Sequence, residues 1–348
     1  MRVAVFGTGF FSAYHYDAWQ RIPGVTLAAV CAHSNRARAG EFAVRYGVGT
    51  VHDDPEAMLD AVRPDLVDVI TTPESHAALV GAAVRRGIPV ICQKPLAPTL
   101  AEARAMVDEA ARHRTLLVAH ENWRFRPWYR ELARLIADGA IGRPLNLTFR
   151  LRPGDGQGAE AYLARQPYFR MMPRFLIHET GIHMIDVFRY LMGPVTAVGA
   201  TLRRLNPAIA GEDAGLVTFD FASGAAGLFD GNRLLDFEAE TPRLTMGETL
   251  LEGTEGALRV DGAGRILHRR RGGREAVHAH AWEDRGYAGD SVHALQAHVV
   301  RHLREGTPVE NTGAEYLGAL RVEEAVYRAA AEGRRVAVAE IEQEEIPA

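Results

Sequence analysis

The chain has 348 residues, of which 47% are hydrophobic, and its 40 basic and 44 acidic side chains give a formal net charge of -4. A chain of this length exceeds the size of one hydrophobic core, so two domains are expected. The near balance of charge excludes a strongly basic nucleic-acid-binding protein and a protein held to membrane surfaces by charge. Small molecules or other subunits are the expected partners.

Cysteines and apolar runs exclude further classes. Cys31 and Cys92 lie in apolar, strand-like runs and predict neither a disulfide framework nor a metal site. No apolar run reaches the roughly 18 residues of a membrane span, and the first apolar run is too short for a signal peptide. The sequence therefore predicts a cytoplasmic protein.

The first apolar run leads directly into a glycine-rich turn. Val3–Phe6 is continuous rather than alternating, as expected of a buried parallel strand. Gly7-Thr8-Gly9-Phe10-Phe11-Ser12 and a helical segment follow, which matches the dinucleotide pattern G-x-G-x-x-G/A with a serine at the third small position. Gly7 would form the tight turn, and Gly9 would let a pyrophosphate approach the backbone at the helix N-terminus. A plain strand-turn-helix is the alternative for the glycine pair alone.

Strands and helices alternate through residue 122. Further strands are predicted at 25–31, 65–70 and 88–91, and further helices at 36–46, before Gly87 and at 99–111. This alternation predicts an α/β Rossmann domain with a doubly wound parallel sheet over residues 1–122.

One expected acidic residue is missing. In this fold an acidic side chain about 20 residues after the glycines usually holds the adenosine ribose, but none occurs between Asp17 and Glu41. The second strand instead ends in Ala32-His33-Ser34-Asn35-Arg36-Ala37-Arg38. The serine and the arginines suit the 2'-phosphate of NADP, whereas the histidine and the asparagine suit the plain hydroxyls of NAD. A solvated helix start explains the two arginines equally well.

Two turns follow strand ends at the same edge of the predicted sheet. One is Thr71-Thr72-Pro73 and the other is Gln93-Lys94-Pro95. The chain has few lysines and many arginines, so a lysine fixed beside a proline at a strand end is a candidate for chemistry. A surface lysine in a turn is the alternative. Ligands of doubly wound sheets bind beyond the C-terminal ends of the strands, which favours the functional interpretation.

Beyond residue 122 the pattern changes to amphipathic helices and alternating strands. Strand-like runs recur at 145–152, 198–202, 215–221, 225–229, 244–252 and 257–260. They predict a C-terminal α+β domain with a large, mainly antiparallel open sheet over residues 123–338, followed by an acidic tail at 339–348. The loop at 153–175 is long enough to predict a substrate lid, with an oligomer contact as the alternative.

A second group of polar residues surrounds His183. Glu179 lies four residues before this histidine and Asp186 lies three residues after it, so a regular helix would place all three on one face. His178 and His183 are five residues apart, which does not match the H-E-x-x-H zinc signature, and no metal is expected. A core or interface histidine is the alternative interpretation of His183.

Four motifs occur in order along nearly the whole chain: Gly7-x-Gly9, Thr72-Pro73-x-x-His76, Gln93-Lys94-Pro95-Leu96-Ala97 and Gly181-x-His183-x-x-Asp186. On these motifs the chain resembles the glucose-fructose oxidoreductase, inositol dehydrogenase and MocA (Gfo/Idh/MocA) family. The resemblance implies a Rossmann domain and a C-terminal domain whose sheet forms a homodimer or homotetramer. It also implies oxidation or reduction of a sugar or polyol hydroxyl with NAD or NADP. The chain departs from the family pattern at Gln93, where glutamate is usual, and at Glu179, where aspartate is usual.

The resemblance and the patterns above together give a set of expected site residues. The expected catalytic residues are Lys94, His183 and Glu179. The expected cofactor-binding residues are Gly7, Gly9, Phe10, Phe11, His33, Ser34, Arg38, Thr71, Thr72, Pro73, His76, Gln93, Lys94 and Asn122. The expected substrate-binding residues are Trp123, Arg124, Arg152, Asp155, Tyr168, Arg174 and His183.

The expected reaction follows from these roles. A base must accept the hydroxyl proton while hydride leaves the carbon, and an imidazole such as that of His183 suits this role. Lys94 would stabilise the developing alkoxide or share the proton. Segments 120–129, 151–158 and 168–186 are similar to family members that oxidise a branched pentose. The expected function is therefore oxidation of a sugar hydroxyl, best C1 of a cyclic aldose giving a lactone, with NAD slightly favoured. An NAD-dependent glycosidase and a non-catalytic nicotinamide-binding sensor are the alternatives.

Overall fold

The helices and strands belong to two units of the chain. The computed structural model describes residues 1–32 and 35–344, so the predicted cofactor residues His33 and Ser34 lie outside the described residues. One unit comprises residues 1–122 and 285–318, and the other comprises residues 123–284 and the chain from residue 319 onwards.

The strands are β1 (Arg2–Phe6), β2 (Thr26–Cys31), β3 (Thr50–His52), β4 (Leu66–Val69), β5 (Val90–Gln93), β6 (Leu117–His120), β7 (Pro144–Leu151), β8 (Val195–Arg203), β9 (Ala214–Phe221), β10 (Ala226–Asn232), β11 (Gly247–Gly253), β12 (Gly256–Val260), β13 (Ile266–Arg270), β14 (Ala276–His278) and β15 (Val336–Ala337). The helices are α1 (Ser12–Gln20), α2 (Arg36–Tyr46), α3 (Pro55–Val62), α4 (Pro73–Val84), α5 (Leu100–Arg112), α6 (Pro127–Ala137), α7 (Ile182–Met192), α8 (Pro242–Thr245), α9 (Ser291–Glu305), α10 (Gly313–Glu332) and α11 (Val338–Glu344). Short 3-10 segments occur at Trp123–Phe125 and Pro167–Met171, and a π-helical segment at Leu176–Gly181.

The first unit contains a six-stranded parallel sheet in the order β3-β2-β1-β4-β5-β6. The predicted doubly wound fold is confirmed. The strand order reverses between β1 and β4, so the turns after these two strands lie at the topological switch point, where ligands of such sheets bind. Strands β1 and β4 are buried along nearly their whole length because helices cover both faces of a doubly wound sheet.

Local sequence signals fix the helix ends of this unit. Asp54 caps α3 by accepting a hydrogen bond from Ala57 N (2.6 Å), and Thr99 caps α5 by accepting one from Glu102 N (3.2 Å). Helix α2 ends at Gly47 in the left-handed conformation (φ 62°). These signals explain why the helices predicted at 36–46 and 99–111 agree closely with α2 and α5, whereas α3 and the short strand β3 were not predicted.

The second unit contains a nine-stranded sheet in the order β14-β13-β12-β11-β7-β10-β9-β8-β15. Strands β7 and β10 pair in parallel, and every other pairing in this sheet is antiparallel. The predicted α+β domain with a mainly antiparallel sheet is confirmed. Helix α7 packs against β7 and against α6. The aromatic rings of Phe149 and Phe229 stack in the core with their centroids 6.3 Å apart.

The division between the units differs from the predicted one in residues 285–318, which were assigned to the C-terminal domain. Helix α9 packs against α1 in the first unit. Just before α9, Asp290 accepts two hydrogen bonds from the Arg21 guanidinium (2.5 and 2.6 Å). Residues this far apart in sequence cannot be paired from local patterns, so the return of residues 285–318 to the first unit was not predicted.

The predicted acidic tail is also corrected. In the described part of that segment, residues 338–344 form helix α11, which packs against β8. Val338 and Ile341 are buried three residues apart on one face, and Arg334 pairs with Glu340 at 2.7 Å. The acidic composition concealed this short amphipathic pattern.

Within residues 1–32 and 35–344, no helix combines the length and apolar character needed to cross a membrane.

Helix α11 gives a test of this correction. Ile341 is 5% exposed, so Ile341→Ala is expected to lower the free energy of unfolding by about 2–4 kcal/mol through the lost apolar contacts. The control Gln343→Ala, at an exposed position of the same helix, should change it by less than about 0.5 kcal/mol. Urea unfolding followed by circular dichroism measures both values. Equal stability of the two variants would show that this segment contributes nothing to folding.

Candidate functional site

The glycine turn after β1 has the geometry expected at a dinucleotide site. Gly7 has φ +110°, and a Cβ atom there would lie 2.7 Å from Ile70 O. Only glycine fits such a position without strain. At Gly9, by contrast, an added Cβ would meet only Ser12 Oγ at 3.9 Å. The backbone at Gly9 is therefore open to a ligand.

Helix α1 begins directly after this turn. Its first turn contains no acidic residue, and no side chain caps its N-terminus. Ser12 Oγ is buried without a hydrogen-bond partner in the described part of the chain. A helix N-terminus with free N–H groups favours an anion. Together with the open backbone at Gly9, these features fit the pyrophosphate of a dinucleotide.

Other predicted cofactor residues lie around this turn. Phe10 is 63% exposed. The Phe11 ring packs against Tyr14 and Tyr287, with centroid separations of 5.3 and 5.0 Å. Arg38 Nε donates a hydrogen bond to Thr8 O (2.5 Å), so its guanidinium contacts the main chain of the turn.

His76 holds the two turns at the C-terminal edge of the sheet together. Its Nδ1 atom lies 3.1 Å from both Pro95 O and Leu96 O, and its Nε2 atom lies 3.1 Å from Thr71 O. The side chain is fully buried. Burial lowers the pKa of His76, and the three carbonyl oxygens partly offset this effect. His76, predicted to bind the cofactor, thus joins the Lys94 turn to the turn before α4.

The rest of these turns is held by short hydrogen bonds. Ser75 Oγ donates to Thr72 O (2.8 Å) and lies 2.7 Å from Thr71 Oγ1, and Pro73 is the first residue of α4. Lys94 N donates to Gln93 Oε1 (2.8 Å), and the Lys94–Pro95 peptide is cis. Asn122, predicted to contact the cofactor, donates its side-chain amide to Ser291 Oγ (2.7 Å).

In the second unit, His183 lies in a group of buried rings and guanidinium side chains. Its imidazole stacks on Trp123, with centroids 4.6 Å apart and an interplanar angle of 5°. The Arg126 guanidinium lies 3.5 Å from the Trp123 ring centroid. All three side chains are at least nine-tenths buried. The imidazole orientation is therefore fixed by an aromatic surface.

The predicted single face of Glu179, His183 and Asp186 is not observed as a regular helical face. Glu179 lies in the π-helical segment, whereas α7 begins at Ile182. The Asp186 carboxylate accepts two hydrogen bonds from Arg124, at 2.8 and 2.5 Å. The Glu212 carboxylate accepts from the main-chain N–H groups of Phe175 and Ile177 (3.2 and 3.1 Å), which anchors the irregular turn.

Arg233, which follows β10, is the residue that sequence reasoning missed. Its guanidinium donates to Asp155 (2.8 and 3.2 Å), to Tyr162 OH (2.9 Å) and to Thr180 Oγ1 (2.7 Å). Thr180 Oγ1 in turn donates to Glu179 Oε2 (2.7 Å). Arg233 therefore joins the long loop at 153–175 to the segment that carries Glu179. The only signal was an arginine four residues after the strand predicted at 225–229.

The remaining predicted substrate residues make other contacts. Arg152 pairs with Asp230 and donates to Asp230 O (2.7 Å). Arg174 pairs with Glu324 (2.6 Å), and Tyr168 is 59% exposed. The structure thus groups His183 with Trp123, and Glu179 with Asp155 through Arg233, while Arg174 and Arg152 are ion-paired elsewhere in the unit.

Among the described residues, no group of three or more His, Cys, Asp or Glu side chains is arranged to hold a metal ion.

Comparisons with known proteins agree with this geometry. Residues 1–120 match the model of the oxidoreductase family with an NAD-binding Rossmann fold, and residues 129–259 match the GFO/IDH/MocA C-terminal domain. D-apiose dehydrogenase of Paraburkholderia graminis is 37% identical over 98% of this chain and 90% of its own length. D-apiose dehydrogenase of Rhizobium rhizogenes is 31% identical over 97% of each chain.

A solved structure is similar over the same extent. It is an oxidoreductase from Agrobacterium radiobacter in complex with NAD+, L-tartaric acid and magnesium, with a TM-score of 0.88 and 29% identity. The match covers 98% of this chain and 99% of that one.

The two glycines give a matched pair of variants. Gly7→Ala is expected to lower the free energy of unfolding by about 1–3 kcal/mol. The added methyl group would lie too close to Ile70 O, and the backbone conformation at this position is strained for alanine. Gly9→Ala should change the free energy of unfolding by less than about 0.5 kcal/mol but weaken NAD binding, because the methyl group fills the open backbone surface. Urea unfolding and fluorescence titration with NAD measure the two effects. Unchanged NAD affinity in Gly9→Ala would contradict a pyrophosphate site here.

The lowered pKa of His76 predicts a pH effect on stability. In the unfolded chain an imidazole titrates near its ordinary pKa of about 6.5. The stability contribution is therefore complete above that pH and is lost as the pH falls towards the lower folded-state pKa. His76→Gln should reduce the loss of stability between about pH 7.5 and 5.5, measured by urea unfolding. An exposed control, His113→Gln, should keep the wild-type pH dependence; a His76→Gln slope identical to wild type would contradict the assignment.

Proposed function

The chain belongs to the Gfo/Idh/MocA family of NAD-binding oxidoreductases and is an NAD(P)-dependent sugar dehydrogenase, and we propose that it oxidises C1 of a cyclic aldose. D-apiose is the first candidate substrate, and the product is the lactone. Each turnover converts one hemiacetal hydroxyl and one oxidised nicotinamide to a lactone, a reduced nicotinamide and a proton. The observation that carries this proposal is the full-length similarity to two proteins named D-apiose dehydrogenase, together with the fixed Lys94 turn.

NAD is proposed as the cofactor in preference to NADP. Arg38 donates its Nε hydrogen to the glycine turn, and Arg36 pairs with Asp53 at 2.7 Å. Both arginines that could have held a 2'-phosphate thus have partners within the chain. The similar oxidoreductase from Agrobacterium radiobacter is a complex with NAD+. Bound NAD would accept the hydride, and Gly9 and the N-terminus of α1 would hold its pyrophosphate.

Lys94 is proposed to stabilise the developing alkoxide as a fixed cation. It is the only lysine in the sequence, so every other one of the 40 lysine and arginine residues is an arginine. An arginine supplies a permanent charge on a planar fork, whereas a lysine supplies a compact ammonium group that can also give up its proton. Arginine stands at every other one of these positions, and the single lysine lies directly after β5. This distribution supports a role for Lys94 that an arginine could not fill.

His183 is proposed as the base that accepts the hydroxyl proton. Stacking on Trp123 fixes the imidazole plane, which limits the directions from which a proton can reach its nitrogen atoms. Glu179 is proposed to support this histidine, held in place by Thr180 and Arg233. Trp123 and Tyr168 are the proposed sugar-binding residues. Arg124, Asp155, Arg152 and Arg174 are proposed to support the fold around them, because each is ion-paired within its unit.

A homodimer or homotetramer through the nine-stranded sheet is part of the proposal. One face of this sheet carries exposed or half-exposed leucines on neighbouring strands, among them Leu216 on β9 and Leu228 on β10. Light scattering of the wild-type protein and of Leu216→Asp tests this interface. A wild-type protein that is monomeric at micromolar concentration would contradict it.

The activity is tested with a panel of aldoses including D-apiose and with either cofactor, following absorbance of the reduced nicotinamide. Lys94→Ala should lower kcat by about 10²–10³-fold, because a fixed cation at the developing alkoxide is lost, while NAD affinity changes little. The control Arg112→Ala removes an exposed cation of the same unit and should leave kcat unchanged. An NAD-bound protein that turns over no aldose would contradict the proposal. Cleavage of glycosides with no net reduction of NAD would identify a glycosidase instead.

A further inference from the structure

A carboxylate is buried in the centre of the first unit's sheet. Asp68 lies on β4, beside Val5 of β1 and Ile91 of β5, and its side chain is fully buried. Its Oδ2 atom accepts a hydrogen bond from Trp19 Nε1 (2.7 Å) and lies 2.9 Å from His15 Nδ1. Burying a carboxylate is costly unless donors surround it, and central parallel strands are otherwise apolar. An aspartate at this position therefore costs folding free energy.

The hydrogen bonds around His15 fix its tautomer. Lys94 N–H can only donate, so the Gln93 atom 2.8 Å from it must be the amide oxygen. The amide nitrogen of Gln93 then faces His15 Nε2, 3.2 Å away. An amide nitrogen can only donate, so His15 Nε2 accepts and His15 Nδ1 carries the proton that it donates to Asp68. One chain of hydrogen bonds thus runs from the buried carboxylate to the main chain of Lys94.

The geometry points to His15 and Asp68 as positioning residues that orient Lys94 through the side chain of Gln93. Asp68 sets the His15 tautomer, His15 sets the direction of the Gln93 amide, and Gln93 holds the Lys94 N–H. This inference rests on the proposed function for the role of Lys94, but the hydrogen-bond chain itself can be observed without any activity.

Two rings and one amide group also lie close to His15. His120 lies against its ring, with centroids 4.1 Å apart and an interplanar angle of 34°, and Phe11 lies edge-on at 5.6 Å. Gln296 Nε2 of α9 lies 3.5 Å from both His15 O and Asp68 Oδ2.

Two other titratable groups lie near Asp68. Burial, with a smaller contribution from Asp68, raises the pKa of the Cys92 thiol and of the Tyr16 hydroxyl, so both stay protonated. Asp68 and His120 are therefore the groups that bear on the proton of His15.

Gln93 has a particular consequence for this chain of hydrogen bonds. A glutamate at position 93 would place a carboxylate oxygen against His15 Nε2, and a hydrogen bond there would need an additional proton on the imidazole or on the carboxylate. With Gln93, every hydrogen bond from Asp68 through His15 to the Lys94 N–H can form while the His15 ring is neutral. Gln93→Glu is therefore the variant that separates a hydrogen-bonded chain from simple packing.

The first experiment reads the tautomer in the wild-type protein labelled with nitrogen-15 histidine. The expected spectrum shows His15 as a neutral ring protonated at Nδ1, with the signals assigned by their loss in His15→Phe. In Gln93→Glu the Nε2 signal of the same ring should shift, because a carboxylate oxygen replaces the amide donor that faces it. A wild-type His15 protonated at Nε2, or a ring unchanged by Gln93→Glu, would overturn the inference whatever the enzyme's activity.

The second experiment uses the single lysine as a reporter. Protein labelled with carbon-13 lysine gives one lysine spin system, that of Lys94. Its main-chain and side-chain signals should shift and broaden in Gln93→Leu, which leaves the pair of His15 and Asp68 intact, and in His15→Phe. The control His113→Phe, at an exposed position, should leave them in place. Unchanged Lys94 signals in a folded Gln93→Leu variant would overturn the inference.

Kinetics complete the test on the active enzyme. His15→Phe and Gln93→Leu should each lower kcat by about tenfold or more, as expected of a misplaced catalytic group, while the KM for the aldose changes little. Because His15 and Gln93 act through the same series of hydrogen bonds, the kcat of the double variant should be no lower than that of the slower single variant. Additive losses, or losses confined to KM, would overturn the inference. If the wild type turns over no sugar, the proposed function fails, and the two spectroscopic experiments still decide the hydrogen-bond chain.

Discussion

Hydrogen bonds to the main chain of the Lys94 turn are the constraint on which the candidate site of the first unit depends. His76 contacts the carbonyl oxygens of Pro95 and Leu96 from one side, and Gln93 accepts from the Lys94 N–H on the other. A cation that must stabilise charge in a transition state is most effective when its position is set before the reaction. The fold achieves this with the side chains of His76 and Gln93, which contact the peptide groups of the turn.

Three buried or partly buried acidic side chains are held by partners distant in sequence. Asp68 Oδ2 contacts two donors from α1, Arg124 and Asp186 form a two-bond pair, and Arg233 binds Asp155. Removing one member of such a pair leaves an uncompensated charge and costs several kcal/mol. These pairs therefore hold the irregular segments at a defined place, including the π-helical turn that carries Glu179.

The arginines of this protein have structural roles, whereas its single lysine is proposed to take part in the reaction. Arginine suits bidentate pairs and stacking on rings, as the Arg126 guanidinium does on Trp123. Lysine occurs only at position 94, where the preceding residue is Gln93. A neutral amide in this place supplies both a donor and an acceptor, so the hydrogen-bond chain beneath Lys94 closes without an additional proton.

Local sequence patterns were enough to predict the alternation of strands and helices in the first unit, the glycine turn, and the position of Lys94 at a strand end. These features follow from apolar periodicity, from Gly7 and from Pro95, which act within a few residues of the chain. Which polar groups meet became clear only from the folded structure. Gln93 contacts His15, and Arg233 contacts Asp155, across 78 positions in each case. Such partners are chosen by the packing of whole elements, because a buried polar group takes whichever donor or acceptor the fold brings within reach.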